Sequence, residues 1–171
     1  MKLFYVAMIA ALLAFSAFGQ TLKPDAGKAT VSTDIVVEVE GGSTGRIKAT
    51  TLAKLERTEV KATDHDGKAS VYSGFELRTI LVAMGAKLGK DLKGPAVGQY
   101  LIVEAADGYR AVYSLTDLDP EFADKTVILA DTCDGNPLDT KNGPWQVIAT
   151  NEKKHARWVR QVTALRVKIA K

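Results

Sequence analysis

The sequence contains only one cysteine, Cys133, and only two histidines. A single cysteine excludes an internal disulfide. So few cysteines and histidines also leave little material for a transition-metal site made by the protein alone. Aromatic residues make up only 7% of the chain, without the arrangement of a stacking platform, and the net charge is only +3. Both features argue against nucleic acid as a partner.

The N-terminus has the pattern of a secretory signal peptide. Lys2 is followed by an apolar run over residues 3–18, and small residues stand at positions 17 and 19. A positive start, a short apolar stretch and small residues at the cleavage position are typical of such peptides. We therefore expect residues 1–19 to be removed and the protein to be periplasmic or secreted. No later segment is apolar enough to span a bilayer, so we expect no membrane insertion after cleavage.

The remainder of the chain has the length of one domain. Residues 20–34 are rich in Lys, Pro, Gly, Ser and Thr, which predicts a flexible lead-in. Residues 35–171 are enough to bury a core without disulfides. Many short strands and few helices are predicted over this range, which indicates a mixed, β-dominated α+β domain.

Local patterns predict the individual elements. Alternating or wholly apolar runs predict strands, and Asp-Gly pairs predict two hairpin turns. The strands are expected at 35–40, 46–49, 58–63, 69–72, 100–105, 110–113, 127–130 and 146–149, with a final strand in which Leu165, Val167 and Ile169 face inward.

The clearest helix follows residue 76, because Leu77, Ile80, Leu81 and Met84 recur at helical spacing. Capping patterns are expected at 73–76 and at 114–117, and a short helix near Leu52 is expected to be capped by Thr50 or Thr51.

Positive charge is concentrated at the C-terminal end. Residues 151–171 hold seven Lys or Arg residues and one acid, Glu152, whereas the rest of the chain carries a net negative charge. The loop after the strand at 146–149 carries several of these cations beside Trp158. This pattern suits an anionic small ligand or an acidic partner surface. The alternative is a solvated loop beside a core tryptophan.

Six short motifs follow one another along the domain. They lie at 62–68, 72–77, 105–109, 134–138, 143–145 and 156–162, and include Tyr-Ser-Gly-Phe-Glu-Leu, Gly-Pro-Trp and Ala-Arg-Trp-Val-Arg-Gln-Val. In their order and spacing they resemble the oxidoreductase molybdopterin-binding domain, the sulfite-oxidase fold, in a small, stand-alone, exported form. The resemblance covers about residues 36–167.

The resemblance implies molybdopterin as cofactor, with molybdenum held by the pterin dithiolene and one cysteine thiolate. That cysteine would lie near residues 62–64, where this sequence has Ala62, Thr63 and Asp64. None of these is a soft sulfur ligand, which argues against molybdenum. Cys133 belongs to a different part of the pattern, and a small buried residue is the more common role of a free cysteine.

The resemblance also implies that basic residues near the Arg-Trp motif hold the pterin and its phosphate. The matching positions here are Lys153, Lys154, Arg157 and Arg160. Arginine suits bidentate phosphate contacts and lysine a point-charge contact. A structural ion pair at the start of the final strand is the alternative for Arg160.

Two further positions join the candidate site. His65 lies between two aspartates, which could raise its pKa or form an oxygen-rich cation site, but Asp-His-Asp-Gly also suits a hairpin turn. Arg110 follows the second Asp-Gly turn and could point into a cleft. The two tryptophans, Trp145 and Trp158, are expected in the core.

Two hypotheses follow for function. The first is an exported oxidoreductase-like domain that binds a pterin or another small anion without sulfite-oxidase-type turnover, since the thiolate ligand and a dedicated base are missing. The second is a cofactor-free module that binds an exported redox or signalling protein. An open basic cleft bounded by residues 62–66, 107–110 and 153–157 would favour the first hypothesis.

Overall fold

The computed structural model describes residues 33–64 and 66–170. The predicted signal peptide, most of the predicted lead-in and His65 lie outside the described residues. Within them, no helix has the length and apolarity needed to cross a membrane.

The domain is built on two five-stranded sheets. The first sheet has the order β2-β1-β10-β5-β6, in which β1 and β10 are parallel and the other neighbours antiparallel. Its strands are β1 (Ile35–Val39), β2 (Thr44–Ile47), β5 (Gln99–Ala105), β6 (Arg110–Ser114) and β10 (Val162–Ile169).

The second sheet is antiparallel throughout, and its β3–β4 turn and strands β4 and β9 border the candidate site. It has the order β3-β4-β7-β8, and β9 also pairs with β7. Its strands are β3 (Thr58–Thr63), β4 (Ala69–Glu76), β7 (Val127–Cys133), β8 (Asn136–Pro137) and β9 (Gln146–Ala149).

Short helices connect the strands. The α-helices are α1 (Ala49–Leu52) and α2 (Leu77–Ala83), and single 3₁₀ turns lie at Gly89–Asp91, Gly94–Gly98, Leu115–Leu118 and His155–Arg157. One hydrophobic core takes residues from both sheets and from α2, and both tryptophans are buried in it. The predicted β-dominated α+β domain is therefore confirmed.

Two of the predicted helix caps are wrong. Residues 73–76 continue β4 instead of capping α2, because β4 pairs with β7 up to Glu76. The residue before α1 is Lys48, which makes no side-chain cap, rather than Thr50 or Thr51. In contrast, the predicted box at 114–117 is present, with Ser114 and Asp117 each accepting a backbone hydrogen bond.

The final strand also differs at its end. Leu165 and Val167 are fully buried as predicted, but Ile169 is 38% exposed. It pairs with Gln99 at the end of this central strand, where the core no longer covers it.

Candidate functional site

An open cleft of about 700 Å³ lies where the second sheet meets the basic C-terminal loop. Five parts of the chain surround it: the turn between β3 and β4, Tyr72 of β4, the loop at 139–142, the first residue of β9 and the segment at 153–160. Its lining residues are Asp64, Asp66, Gly67, Tyr72, Asp139, Lys141, Asn142, Gln146, Lys153, Lys154, His155, Ala156, Trp158 and Arg160.

Four cations line this cleft. Lys141, Lys153 and Lys154 are exposed, and Arg160 is half-buried. Within the described residues none of the four makes an ion pair or a side-chain hydrogen bond, in contrast to most other arginines of the domain. Their charges are therefore open to an anion that enters the cleft.

Two of the three carboxylates that line the cleft, those of Asp64 and Asp139, have a local structural role. Oδ1 of Asp64 accepts hydrogen bonds from the backbone N–H of Asp66 and Lys68, at 3.0 and 2.9 Å. Oδ1 of Asp139 does the same for Lys141 and Asn142, at 3.1 and 2.8 Å. These bonds fix the two turns that carry the rim of the cleft.

Aromatic rings form one wall. Tyr72 and Trp158 meet edge to face with ring centroids 5.9 Å apart, and His155 stacks on Trp158 with a centroid distance of 4.1 Å. Trp158 is held from behind, since its Nε1 donates to the carbonyl of Ala149 at 3.1 Å. Burial and the neighbouring Cys133 thiol raise the pKa of Tyr72 to about 12, so this ring stays neutral at physiological pH.

The basic loop is held in place by a network of ion pairs beneath it. Arg157 donates to Asp117 at 2.9 Å and to Glu152, and Lys125 pairs with Asp117 at 2.8 Å. The guanidinium of Arg157 lies 4.3 Å from the ring centroid of Tyr113. The network ties the basic loop to the 3₁₀ turn at Leu115–Leu118, and so fixes the position of the loop residues that precede Arg157.

The pKa values in this network follow from its contacts. Burial alone would raise the pKa of Asp117, but the hydrogen bonds from Lys125 and Arg157 outweigh it and hold that pKa below its ordinary value. Partial burial would lower the pKa of Arg157, but its hydrogen bonds to Asp117 and Glu152 outweigh this and raise that pKa. Burial raises the pKa of Tyr113 far above its ordinary value. Asp117 and Arg157 therefore both stay charged at neutral pH.

The structure brings together some of the residues predicted from the sequence and separates others. Lys153, Lys154 and Arg160 line the cleft. Arg157 is not among the lining residues, because its guanidinium points into the ion-pair network. Arg110 lies on the exposed side of β6 and pairs with Glu104 at 3.1 Å. His65 lies outside the described residues.

Other residues that line the cleft were not predicted from the sequence as site residues. Lys141 and Asn142 precede the Gly-Pro motif by two positions and one position, where the sequence shows only a polar turn. Gln146 is a glutamine in an otherwise apolar strand, a signal that can be seen in the sequence. Tyr72 lies within a predicted strand and reaches the cleft through the pairing of β4 with β7.

The residues of the cleft do not provide a thiolate for molybdenum. Cys133 ends β7 opposite Tyr72, but it is not among the lining residues. Among the described residues no three His, Cys, Asp or Glu side chains group closely enough to hold a metal ion. The donor set therefore fits an organic anion better than a thiolate-bound metal.

A smaller cavity of about 230 Å³ adjoins the cleft. It lies between the β5–β6 turn, with Asp107 and Tyr109, and the loop residues 155–160. Tyr109 closes this side, since its hydroxyl donates to the carbonyl of Ala156 at 2.7 Å. Arg160 lines both cavities. The expected boundary at 107–110 therefore borders this side cavity and not the main cleft.

Comparison with solved structures shows the fold. The domain is similar to the sulfane dehydrogenase SoxCD from Paracoccus pantotrophus, with a TM-score of 0.60 and 15% sequence identity. The match covers 78% of this chain but only 37% of that one. No protein-family model matches the sequence, and no curated protein matches it either. At this level of identity the likeness shows the fold alone.

Proposed function

We propose that the cleft binds a small organic anion, with a pterin as the leading candidate, and that the protein does so without sulfite-oxidase-type turnover. On this proposal residues 1–19 direct the protein to the periplasm or the outside of the cell. The domain is then an exported ligand-binding relative of an oxidoreductase, which keeps the scaffold and lacks the metal-binding thiolate.

One observation carries the proposal. The described chain leaves Lys141, Lys153, Lys154 and Arg160 unpaired around one open cleft. Neighbouring cations repel each other, and most other arginines of the described domain pair with carboxylates. A group of open cations beside aromatic rings suits a planar ligand that carries a phosphate or carboxylate.

Different residues of the cleft would contact different parts of the ligand. Lys153, Lys154 and Arg160 would hold the acidic group of the ligand, and Trp158 with His155 would border its ring. A bound pterin would supply dithiolene sulfurs for a metal, but this chain adds no thiolate of its own. The catalytic machinery of a sulfite-oxidase-type reaction is therefore not assigned to any residue here.

The proposal is tested by titrating the mature protein with pterin-6-carboxylate and following pterin fluorescence. Changing both Lys153→Ala and Lys154→Ala should weaken binding about 10- to 30-fold, since each lysine supplies a partly solvated charge-assisted contact. The melting temperature should stay the same, because neither side chain has a partner in the described residues.

A matched control carries two alanines elsewhere, at Lys87 and Lys90. Both lysines are exposed and lie outside the cleft, so this variant should bind as the unchanged protein does. Equal weakening in both variants would show a nonspecific effect of charge, and no binding to the unchanged protein would refute the proposal.

A protein-interaction module is the second candidate. Tyr109 and Val112 on and beside edge strand β6 are about half-exposed, with Tyr109 49% and Val112 51% accessible. An exposed apolar pair on a sheet edge suits a protein partner. Failure to bind pterin-6-carboxylate and inorganic phosphate, in a folded sample, would favour this function over the first.

A further inference from the structure

Strand β3 lies at the edge of the second sheet, and in the described chain it pairs with β4 alone. We propose that its open edge pairs with β3 of a second copy of this chain, antiparallel and centred on Val60. The second sheets of the two copies then continue into each other across a two-fold axis. Glu59 and Lys61, which would carry the contact, do not line the cleft, so the dimer does not depend on the proposed ligand.

The backbone of β3 has hydrogen-bonding groups that point outward. Just beyond the strand, the N–H of Asp64 donates to the carbonyl of Lys68 at 2.9 Å. Hydrogen-bonded pairs alternate along an antiparallel ladder, so every second residue back from Asp64 bonds to β4. The residues between them, Glu59, Lys61 and Thr63, direct their N–H and C=O away from β4. No other group of the described chain bonds to these outward groups.

The other edges of the two sheets differ from β3. On β6 the carbonyl of Val112 accepts from the guanidinium of Arg157 at 3.3 Å, and the N–H of Ser114 donates to the carboxylate of Asp117 at 3.3 Å. Strand β2 has only four residues, and its one charged residue is Arg46. Strand β3, with six residues, is the longest edge strand of the described chain. An edge that is not capped readily pairs with another chain.

The charges along β3 favour a second copy as the partner. Glu59 and Lys61 are exposed on the same face, two residues apart, and neither makes an ion pair within the described part of the chain. Antiparallel pairing centred on Val60 places each Glu59 opposite Lys61 of the other copy, and the symmetry repeats this contact. Opposite charges directly across a strand pair stabilise it, whereas like charges destabilise it. Pairing centred on Lys61 would instead place two lysines opposite each other.

The same register satisfies the outward backbone groups. Glu59 and Lys61 of the other copy are both positions whose N–H and C=O point away from β4, so they form a hydrogen-bonded pair. Each such pair exchanges two hydrogen bonds, and the two symmetric pairs together make about four. On the opposite face, Val60 is 7% exposed and meets Val60 of the other copy at the non-hydrogen-bonded position. Side chains approach most closely at that position, which adds apolar contact.

Charge reversal tests both the partner and the register. Sedimentation velocity of the mature protein at low salt, from about 10 µM to about 500 µM, should show a dimer whose fraction rises with concentration, as for a small interface. Lys61→Glu and Glu59→Lys each place like charges opposite each other, so each should weaken dimerisation about 10- to 100-fold. An equimolar mixture of the two variants should recover the dimer, and so should the double variant, because opposite charges face each other again.

Lys93→Glu is the matched control, because that lysine is exposed and lies outside β3, and it should leave dimerisation unchanged. Thermal unfolding of every variant checks that the domain is folded. A monomer at all concentrations, or a dimer that either single reversal leaves intact, would overturn the proposal. Loss of the dimer in both single variants without recovery in the double variant would also overturn it, since the contact would then not follow this register.

Amide hydrogen exchange tests the same contact without a substitution. The N–H groups of Glu59 and Lys61 should exchange about two- to fivefold more slowly at about 500 µM than at about 50 µM, because the dimer closes them off from water. The N–H of Arg46, on the other open edge, should exchange at the same rate at both concentrations. Equal rates for Glu59 and Lys61 at the two concentrations would contradict the proposed pairing.

Discussion

Arg157 and Arg160 belong to the same basic segment but lie in different surroundings. Arg157 contacts two carboxylates and a tyrosine ring, and its side chain is only 31% exposed. Arg160 lines two cavities and has no ionic partner in the described residues. The sequence shows that both residues are charged but not which way each points. That depends on Glu152 of the same segment and on Asp117, which the distant 3₁₀ turn at Leu115–Leu118 supplies.

We predict that Arg157→Gln lowers the free energy of unfolding by about 1–3 kcal/mol. It leaves Glu152, whose side chain is 7% exposed, with Lys125 at 3.6 Å as its ionic partner in the described residues. Removing one cation from a buried ion-pair network is costly, although partial exposure of Arg157 reduces the loss. Urea unfolding measures the change.

The matched variant Arg160→Gln should leave the free energy of unfolding unchanged and weaken the binding of pterin-6-carboxylate. The reverse pattern, with stability lost at Arg160 and affinity at Arg157, would contradict the assignment of the two arginines.

At the scale of elements, the pairing of β4 with β7 determines where the cleft lies. This pairing brings Tyr72 beside Cys133 and requires a close approach at Gly74. An added Cβ at Gly74 would meet the carbonyl oxygen of Leu129 at 2.1 Å and the Cα of Ala130 at 2.6 Å. Both are backbone atoms, so they cannot move aside without displacing β7.

Gly74→Ala should therefore destabilise the domain by about 2–4 kcal/mol, as overpacking against a backbone does. Gly98→Ala is the control, because a Cβ there meets nothing within 4 Å, and it should be close to neutral. Thermal and urea unfolding compare the two. Equal stability of both variants would mean that β4 and β7 are less closely packed than described.

The ion-pair network beneath the basic loop gives the domain a pH dependence. The pKa of Asp117 is lower in the folded protein than in the unfolded chain, so its contribution to stability is present at neutral pH and is lost as pH falls through the acidic range. We expect Asp117→Asn to be less stable at pH 7 and to lose less stability than the unchanged protein between about pH 5 and pH 3.

Urea unfolding at several pH values tests this expectation. Asp91→Asn serves as control, because that carboxylate is exposed and has no ion pair in the described residues; it should follow the unchanged protein. If the free energy of unfolding changed with pH in the same way for Asp117→Asn and the unchanged protein, Asp117 would not account for the pH dependence.

At the scale of the molecule, the sequence predicted the fold class and most strands, because local alternation and Asp-Gly turns are short-range signals. The sequence shows seven basic residues in one stretch, but it does not show that some of them line the cleft while others lie on the first sheet. Arg166 and Lys168 pair with Glu38 across the first sheet, far from the cleft. Lys141 joins the cleft from another loop. Contacts between distant parts of the chain determine both placements, and such contacts leave no local pattern in the sequence.

The central claim is that the cleft holds an organic anion without a thiolate-bound metal. The most direct measurement is the pterin and molybdenum content of the mature protein, exported from a host that makes molybdenum cofactor. We predict a pterin or another organic anion in the extract, absent from a variant with alanine at Lys153, Lys154 and Arg160, and no stoichiometric molybdenum. Stoichiometric molybdenum, or an empty extract from folded protein, would contradict the claim.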